Sequence, residues 1–180
     1  MRSRFLMATS FLAVAWISAV PARAQDVTKA TMPRVTNFAR LETTVACSGA
    51  IKVEAVPEIK KLGFVAIINL REASEPGANV EAEATAAKDV GLRYYHIPFN
   101  GASPDPAAAD KFLDAITTAG TEPAFIHCSG GSRAATMWLI KRLVVDHWDV
   151  DRATKEATDL GLASPNLKQF AIDYAKTHKR

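Results

Sequence analysis

Pro123-Ala124-Phe125-Ile126-His127 runs directly into Cys128-Ser129-Gly130-Gly131-Ser132-Arg133, and a helical pattern with apolar Met137, Trp138, Ile140 and Leu143 follows over residues 134–146. The first five residues form a short apolar run, the kind a strand buried on both faces of a parallel sheet requires. A strand that feeds a glycine-containing loop and then a helix N-terminus turns successive backbone N–H groups toward one point, which makes a cradle for an anion. The glycines Gly130 and Gly131 let the backbone turn where a side chain would collide. Cys128 at the entrance then lies at the bottom of the cradle, where these N–H groups favour thiolate over thiol. Arg133 at the exit folds back as a planar, two-pronged donor to oxyanion oxygens, a geometry that lysine lacks. His127 is the strand neighbour of Cys128 and faces the opposite side, so it is expected to brace the loop by hydrogen-bonding backbone rather than to react.

Working outward, short β-rich runs alternate with helical ones. Residues 43–46 read as a strand. Residues 53–62 read as a helix, with Val53, Val56, Ile59 and Leu62 about three apart, stopped at Gly63. Residues 64–68 are a second buried strand, 71–79 a polar loop and 80–89 a helix stopped at Gly91. Residues 94–97 form the next strand, 98–106 a proline-containing loop and 107–119 a helix. Beyond the 134–146 helix, shorter helices are expected at 150–160 and 165–177, packing on one face of the sheet. This order is α/β, a single domain with a central, mostly parallel sheet flanked by helices and a helical C-terminal end.

The N-terminal residues have a different character. Arg2 and Arg4 precede an apolar stretch over residues 5–20, and Ala22-Arg23-Ala24 has the small-x-small form of a signal cleavage site. The apolar run is short for a spanning helix. Residues 1–24 are therefore expected to be a cleaved signal, with the catalytic domain at 25–180, an exported periplasmic or secreted protein and no integral membrane segment after cleavage. The whole chain has 22 basic and 19 acidic residues, and removing the three N-terminal arginines leaves 19 of each. A neutral chain without a basic patch excludes nucleic acid as a partner. The two cysteines, Cys47 and Cys128, admit a structural or reversible disulfide, or a small buried Cys47 beside a free nucleophile.

With these residues in place, the chain resembles the cysteine-dependent protein tyrosine and dual-specificity phosphatases, and among them the bacterial branch of β-lactamase-hydrolase-like phosphatase domains. The resemblance rests on Ser48-Gly49, Asn69-Leu70-Arg71, Tyr95-His96-Ile97-Pro98 and His127-Cys128-x4-Arg133 in this order. It implies Cys128 as nucleophile, the Ser129, Gly130, Gly131 and Ser132 backbone amides as oxyanion donors, and Arg133 as the clamp. Three departures accompany it. The loop has four residues between cysteine and arginine where five are usual, a ring size found in rhodanese-type sulfurtransferases. Ala134 stands where a Ser or Thr usually supports the thiolate, leaving Ser132 or Ser129 to substitute. Asn100 holds the customary place of the general acid and cannot donate a proton in that way. Asp105 is the nearest replacement, and it also has the place of a helix N-cap before Ala107.

No His, Cys, Asp or Glu grouping has metal-ligand spacing, so no metal and no other cofactor is expected. His96 reads as a core histidine, and Arg71-Glu72 either rims the pocket or forms a solvated pair. Three activities stay open: a phosphomonoester hydrolase working through a cysteinyl-phosphate, a sulfurtransferase carrying a persulfide on Cys128 between thiosulfate and a thiol, and a non-catalytic oxyanion-binding module. The partner in each case is a phosphorylated or other small oxyanionic molecule.

Overall fold

The computed structural model describes residues 26–178, so the expected signal at 1–24 lies outside the described residues. Six strands form one sheet in the order β1-β2-β3-β6-β4-β5. They are β1 (Val27–Lys29), β2 (Ala39–Leu41), β3 (Val45–Ser48), β4 (Ala66–Asn69), β5 (Arg93–His96) and β6 (Ala124–His127). β3, β6, β4 and β5 run parallel, while β1 and β2 extend the β3 edge antiparallel. The helices are α1 (Val56–Lys61), α2 (Val80–Asp89), α3 (Pro106–Thr117), α4 (Ser132–Val144), α5 (Val150–Asp159) and α6 (Pro165–Thr177). Among the described residues no helix is long and apolar enough to cross a membrane.

Alternation along the strands divides the core in two. Cys47, Ile68, Leu70, Ile126 and Cys128 face α3 to α6 and pack on Phe112, Leu113, Met137 and Ile140. Ala46, Ile67 and Phe125 face α1 and α2 and pack on Val56, Ile59 and Ala87. The C-terminal helices thus share one face, as the sequence leads one to expect, with α4 against both α5 and α6. The central strands β3, β4 and β6 are buried at every position, and each large apolar side chain among them is worth about 1.5–3 kcal/mol.

Three features depart from the sequence reading, beside shifts of one or two residues at other element ends. The first strand of the parallel set is 45–48 rather than 43–46, because Thr44 donates its N–H to Leu41 and closes a turn. The 53–62 helix begins as a 3₁₀ turn, Val53–Ala55, and becomes α-helical only from Val56. Pro57 has no N–H to give to Val53, so the first turn closes through the Val56 N–H instead. The β1–β2 ribbon is absent from the sequence reading altogether. Its strands have three residues each, and its turns are made by Arg34, Asn37 and Glu42 with φ of 66°, 49° and 42°. No glycine marks them.

Candidate active site

Cys128 follows the last residue of β6 and is 1% exposed. Its N–H bonds the Ser48 carbonyl at 3.2 Å, continuing the β3–β6 ladder into the loop. The next two carbonyls are pulled outward: Ser129 O accepts the Ala50 N–H at 2.9 Å and Gly130 O accepts Asn37 Nδ2 at 3.0 Å. In a trans peptide the following N–H points the opposite way, so the amides of Gly130 and Gly131 turn inward. The Gly131 N–H indeed donates to Cys128 Sγ at 3.0 Å. Gly131 has φ of +107° as it enters α4, a conformation that side chains disfavour. Gly49 is required for a second reason: a Cβ there would lie 2.8 Å from Ser129 O, so any side chain would push the loop out.

Arg133 sits in the first turn of α4 and is largely buried. Its Nη1 donates to Glu75 Oε1 at 2.7 Å and to the carbonyls of Leu70 and Phe99, while Nη2 donates to Glu75 Oε2 and Ser129 Oγ, both at 2.9 Å. The two-pronged face of the guanidinium is thus directed at Glu75. The guanidinium also interacts with the Cys128 sulfur. Burial opposes the charge on Arg133, yet Glu75 and the adjacent Cys128 sulfur outweigh it and raise its pKa further. Burial likewise opposes the Glu75 charge, but hydrogen bonds from Arg133, the Glu72 N–H and Arg71 bring its pKa down to about 2. Glu75 is therefore a fixed anion at neutral pH and no proton donor. Arg71 is buried rather than solvated and bonds Glu75, Pro76 O and Gly77 O, which ties residues 71–77 into a rigid rim.

The remaining candidates divide. Ser129 supplies its hydroxyl to Arg133. Ser132 Oγ accepts the N–H groups of Ala163 and Ser164 at 3.1 and 3.3 Å, anchoring α4 to the turn before α6. Neither hydroxyl hydrogen-bonds Cys128. Asn100 Oδ1 accepts from Ala102 and Ser103 N–H, which shapes the loop after β5, and its Nδ2 reaches Glu72 Oε2 at 3.4 Å. Asp105 caps α3 through the Ala107 N–H at 2.9 Å.

His127 faces away from the cradle as alternation requires, but its partner differs from the backbone expected. Its Nε2 lies 3.2 Å from Glu83 Oε2, and both side chains are almost wholly buried. Glu83 also accepts from Asn69 Nδ2 at 2.8 Å and Tyr94 OH at 3.1 Å. Burial and then the Glu83 charge raise the Tyr94 pKa, so its hydroxyl keeps the proton it donates. His96 Nε2 bonds Arg71 O at 2.8 Å, tying β5 to the rim. Cys47 and Cys128 are both free and buried on the same face of the sheet, and burial followed by the nearby Cys128 raises the Cys47 pKa.

Glu75 and Asn37 escaped the sequence reading. Glu75 stands four residues after Arg71 on the rim loop, a spacing that could have paired them, whereas nothing local marks Asn37 as a clasp on Gly130. Beside that clasp a groove of about 670 Å³ opens, lined by Lys29, Phe38, Gly130, Leu160 and Ala163 among others. Among the described residues no cluster of three or more His, Cys, Asp or Glu could hold a metal ion.

Residues 37–144 match the sequence family described as beta-lactamase hydrolase-like protein, phosphatase-like domain. A beta-lactamase hydrolase-like protein of Xylella fastidiosa is 31% identical over 137 residues, covering 71% of this chain and 31% of that protein. The chain thus spans about a third of the length of this curated relative. Among solved structures, a putative phosphatase of Shewanella putrefaciens superposes with a TM-score of 0.67 at 18% identity, covering 81% of this chain and 95% of that one. TpbA of P. aeruginosa, solved in complex with phosphotyrosine, superposes with a TM-score of 0.62 at 18% identity, covering 87% and 92%. These two likenesses establish the fold.

Proposed function

This chain belongs to the family of beta-lactamase hydrolase-like phosphatase domains, and from that premise we propose that it hydrolyses phosphate monoesters through a cysteinyl-phosphate on Cys128. The observation that carries the reading is the loop itself. Its carbonyls are clasped outward by Ala50 and Asn37, its Gly131 amide points at Cys128 Sγ, and Arg133 is held beside it by Glu75. The thiolate attacks phosphorus and the P–O bond to the leaving group breaks, with the loop amides and the Arg133 Nε–H balancing the equatorial oxygens. Water then attacks the cysteinyl-phosphate, inorganic phosphate departs and the thiolate returns.

The leaving oxygen needs a proton in the first step. Glu75 is locked as an anion and Asp105 is engaged as a cap, so the rim carboxyl group that fits the task is Glu72, held against Asn100 across the mouth of the site. Aryl esters, whose leaving groups need that proton least, are the favoured substrates. The phosphotyrosine bound to TpbA, a protein of the same fold, supports the same class. The character of residues 1–24 supports an exported enzyme acting outside the cytoplasm.

One parallel assay tests the reading: phenyl phosphate in one arm, thiosulfate with cyanide in the other, each with rapid acid quench of the enzyme. Phosphate release and a phosphorylated peptide containing Cys128 are expected in the first arm. Thiocyanate formation without phosphate release would transfer the site to sulfur chemistry, which the four-residue loop also accommodates.

A further inference from the structure

Beside the Cys128 loop lies a cationic recess that the chemistry above does not use. A cavity of about 360 Å³ is lined by Arg34, Thr36, Ala50, Lys52, Arg71 and Gly77 among others, and no carboxylate is among its lining residues. It sits between the segment that follows β3 and the segment that follows β4. These two strands flank β6 and run parallel to it, so both end on the side where the Cys128 loop begins. Ligands of open parallel sheets bind at those carboxyl ends. The walls are joined to the cradle directly. Ala50 donates its N–H to Ser129 O at 2.9 Å, and Arg71 shares Glu75 with Arg133.

The three cations differ in what they have left to offer. Arg71 has each of its three guanidinium nitrogens engaged, with Glu75, Pro76 O and Gly77 O, so it contributes mainly a fixed wall. Arg34 and Lys52 are exposed, and among the described residues neither forms an ion pair. They are nevertheless pinned side by side, through the Lys52 N–H to Arg34 O bond of 2.9 Å and the Val35–Ile51 bridge. Arg34 is held at φ of 66°, a conformation that a residue with a side chain adopts when its surroundings impose it. Two like charges such as Arg34 and Lys52, brought together in a concave site with no ion pair of their own among the described residues, repel each other and attract an anion.

We propose that this cavity receives a second anionic group, phosphate or carboxylate, carried on the same molecule whose phosphoester enters the Cys128 loop. The inference rests on the phosphatase reading and narrows its substrate class from simple monoesters to esters bearing two anionic ends. Lys52 and Arg34 bind the second end, and Arg71 adds its field.

The test uses phenyl phosphates with a para alkyl tether of varied length, ending in a phosphonate, a carboxylate or a neutral alcohol. At one tether length kcat/KM for an anionic end should exceed that for the alcohol by about tenfold or more at low salt. The Arg34→Ala/Lys52→Ala variant should reduce that preference to about twofold or less, with phenyl phosphate turnover unchanged. A remote variant that removes the same charge, Lys60→Ala/Lys88→Ala in the last turns of α1 and α2, should keep the preference. Better rates with the phosphonate end than with the carboxylate end identify phosphate as the second group, and the reverse identifies carboxylate. Absence of preference at every length, its survival in Arg34→Ala/Lys52→Ala, or its equal loss in the remote variant overturns the proposal. If wild-type protein does not turn over phenyl phosphate, the phosphatase reading falls instead. The recess is then judged by binding, through protection of Cys128 from iodoacetamide by phenylphosphonate with and without the tethered phosphonate, on the same criteria.

Discussion

Arg133 in the first turn of α4 and Arg142 in its last turn are equally buried, and each is paired with a glutamate delivered by another segment. At the C-terminal end the pairing is complete. Arg142 donates from Nε to Glu156 Oε1 at 2.7 Å and from Nη1 to Asp146 Oδ2 at 2.9 Å, and its guanidinium lies over the rings of Trp138 and Trp148. A cation there also suits the helix dipole. At the N-terminal end the dipole disfavours the cation by some tenths of a kcal/mol. The glutamate comes from a loop rather than a helix, and the guanidinium also meets the Cys128 sulfur. The same pair of residue types only holds helices together at one end of α4 and stands beside the cysteine at the other. A cation that a fixed carboxylate holds beside a nucleophile is placed to meet an anionic ligand.

Substitutions at the two ends should therefore fail in different currencies. Arg133→Lys keeps the charge near Glu75 but loses the planar fork that spans Glu75, Ser129 and the substrate. We expect kcat/KM on phenyl phosphate to drop by about 100-fold or more, with a denaturant midpoint close to wild type. A lysine variant that turns over normally would place Arg133 on the structural side of the comparison.

At the other end, Glu156→Ala strands a buried guanidinium and also removes the acceptor of Trp138 Nε1 at 2.7 Å. A loss of about 3–5 kcal/mol is expected, read from urea unfolding, while activity per folded molecule stays near wild type. Arg142→Met/Glu156→Leu should recover most of that stability, because apolar replacement of a buried pair is often neutral. A large activity loss in the double variant would mean that α4 transmits strain from one end to the other.

The Glu75 pair can be separated from Arg142 by pH. Its folded pKa of about 2 lies below the ordinary glutamate value, near 4.3. A depressed carboxylate contributes stability above its unfolded pKa and loses it as pH falls through the folded one. Wild type should therefore be more stable than Glu75→Gln at pH 7, with the gap closing between about pH 4 and pH 2. A gap that is constant across this window would show that the carboxylate charge is not what holds Arg133.

The strand-loop-helix unit was legible in the sequence because its signals are local. The apolar run, the glycines and the helical spacing lie within one stretch of chain. What holds that unit in shape was not, since Asn37, Ala50, Glu75 and Glu83 reach it from other strands and loops. The β1–β2 ribbon was hidden for a related reason: its turns rely on left-handed Arg, Asn and Glu residues rather than glycine. Asp105 is the instructive case, since its neighbours Pro104 and Pro106 advertise a turn and a helix start as clearly as they do a catalytic loop.

The smallest effect is expected there. Asp105 Oδ1 accepts the Ala107 N–H, and asparagine caps a helix about as well as aspartate. Asp105→Asn should leave stability nearly unchanged and slow phosphate-ester turnover by less than about tenfold, a change confined to the alkaline side of the pH profile. Glu72→Gln gives the contrast. It keeps a group that can contact Asn100 but removes the proton, so alkyl phosphates should slow more than aryl phosphates, whose leaving groups need it less. Should Asp105→Asn instead cost about 100-fold with the fold intact, the proton would come from the loop after β5, Glu72 would be reduced to a partner of Asn100, and the cap would be doing a second job.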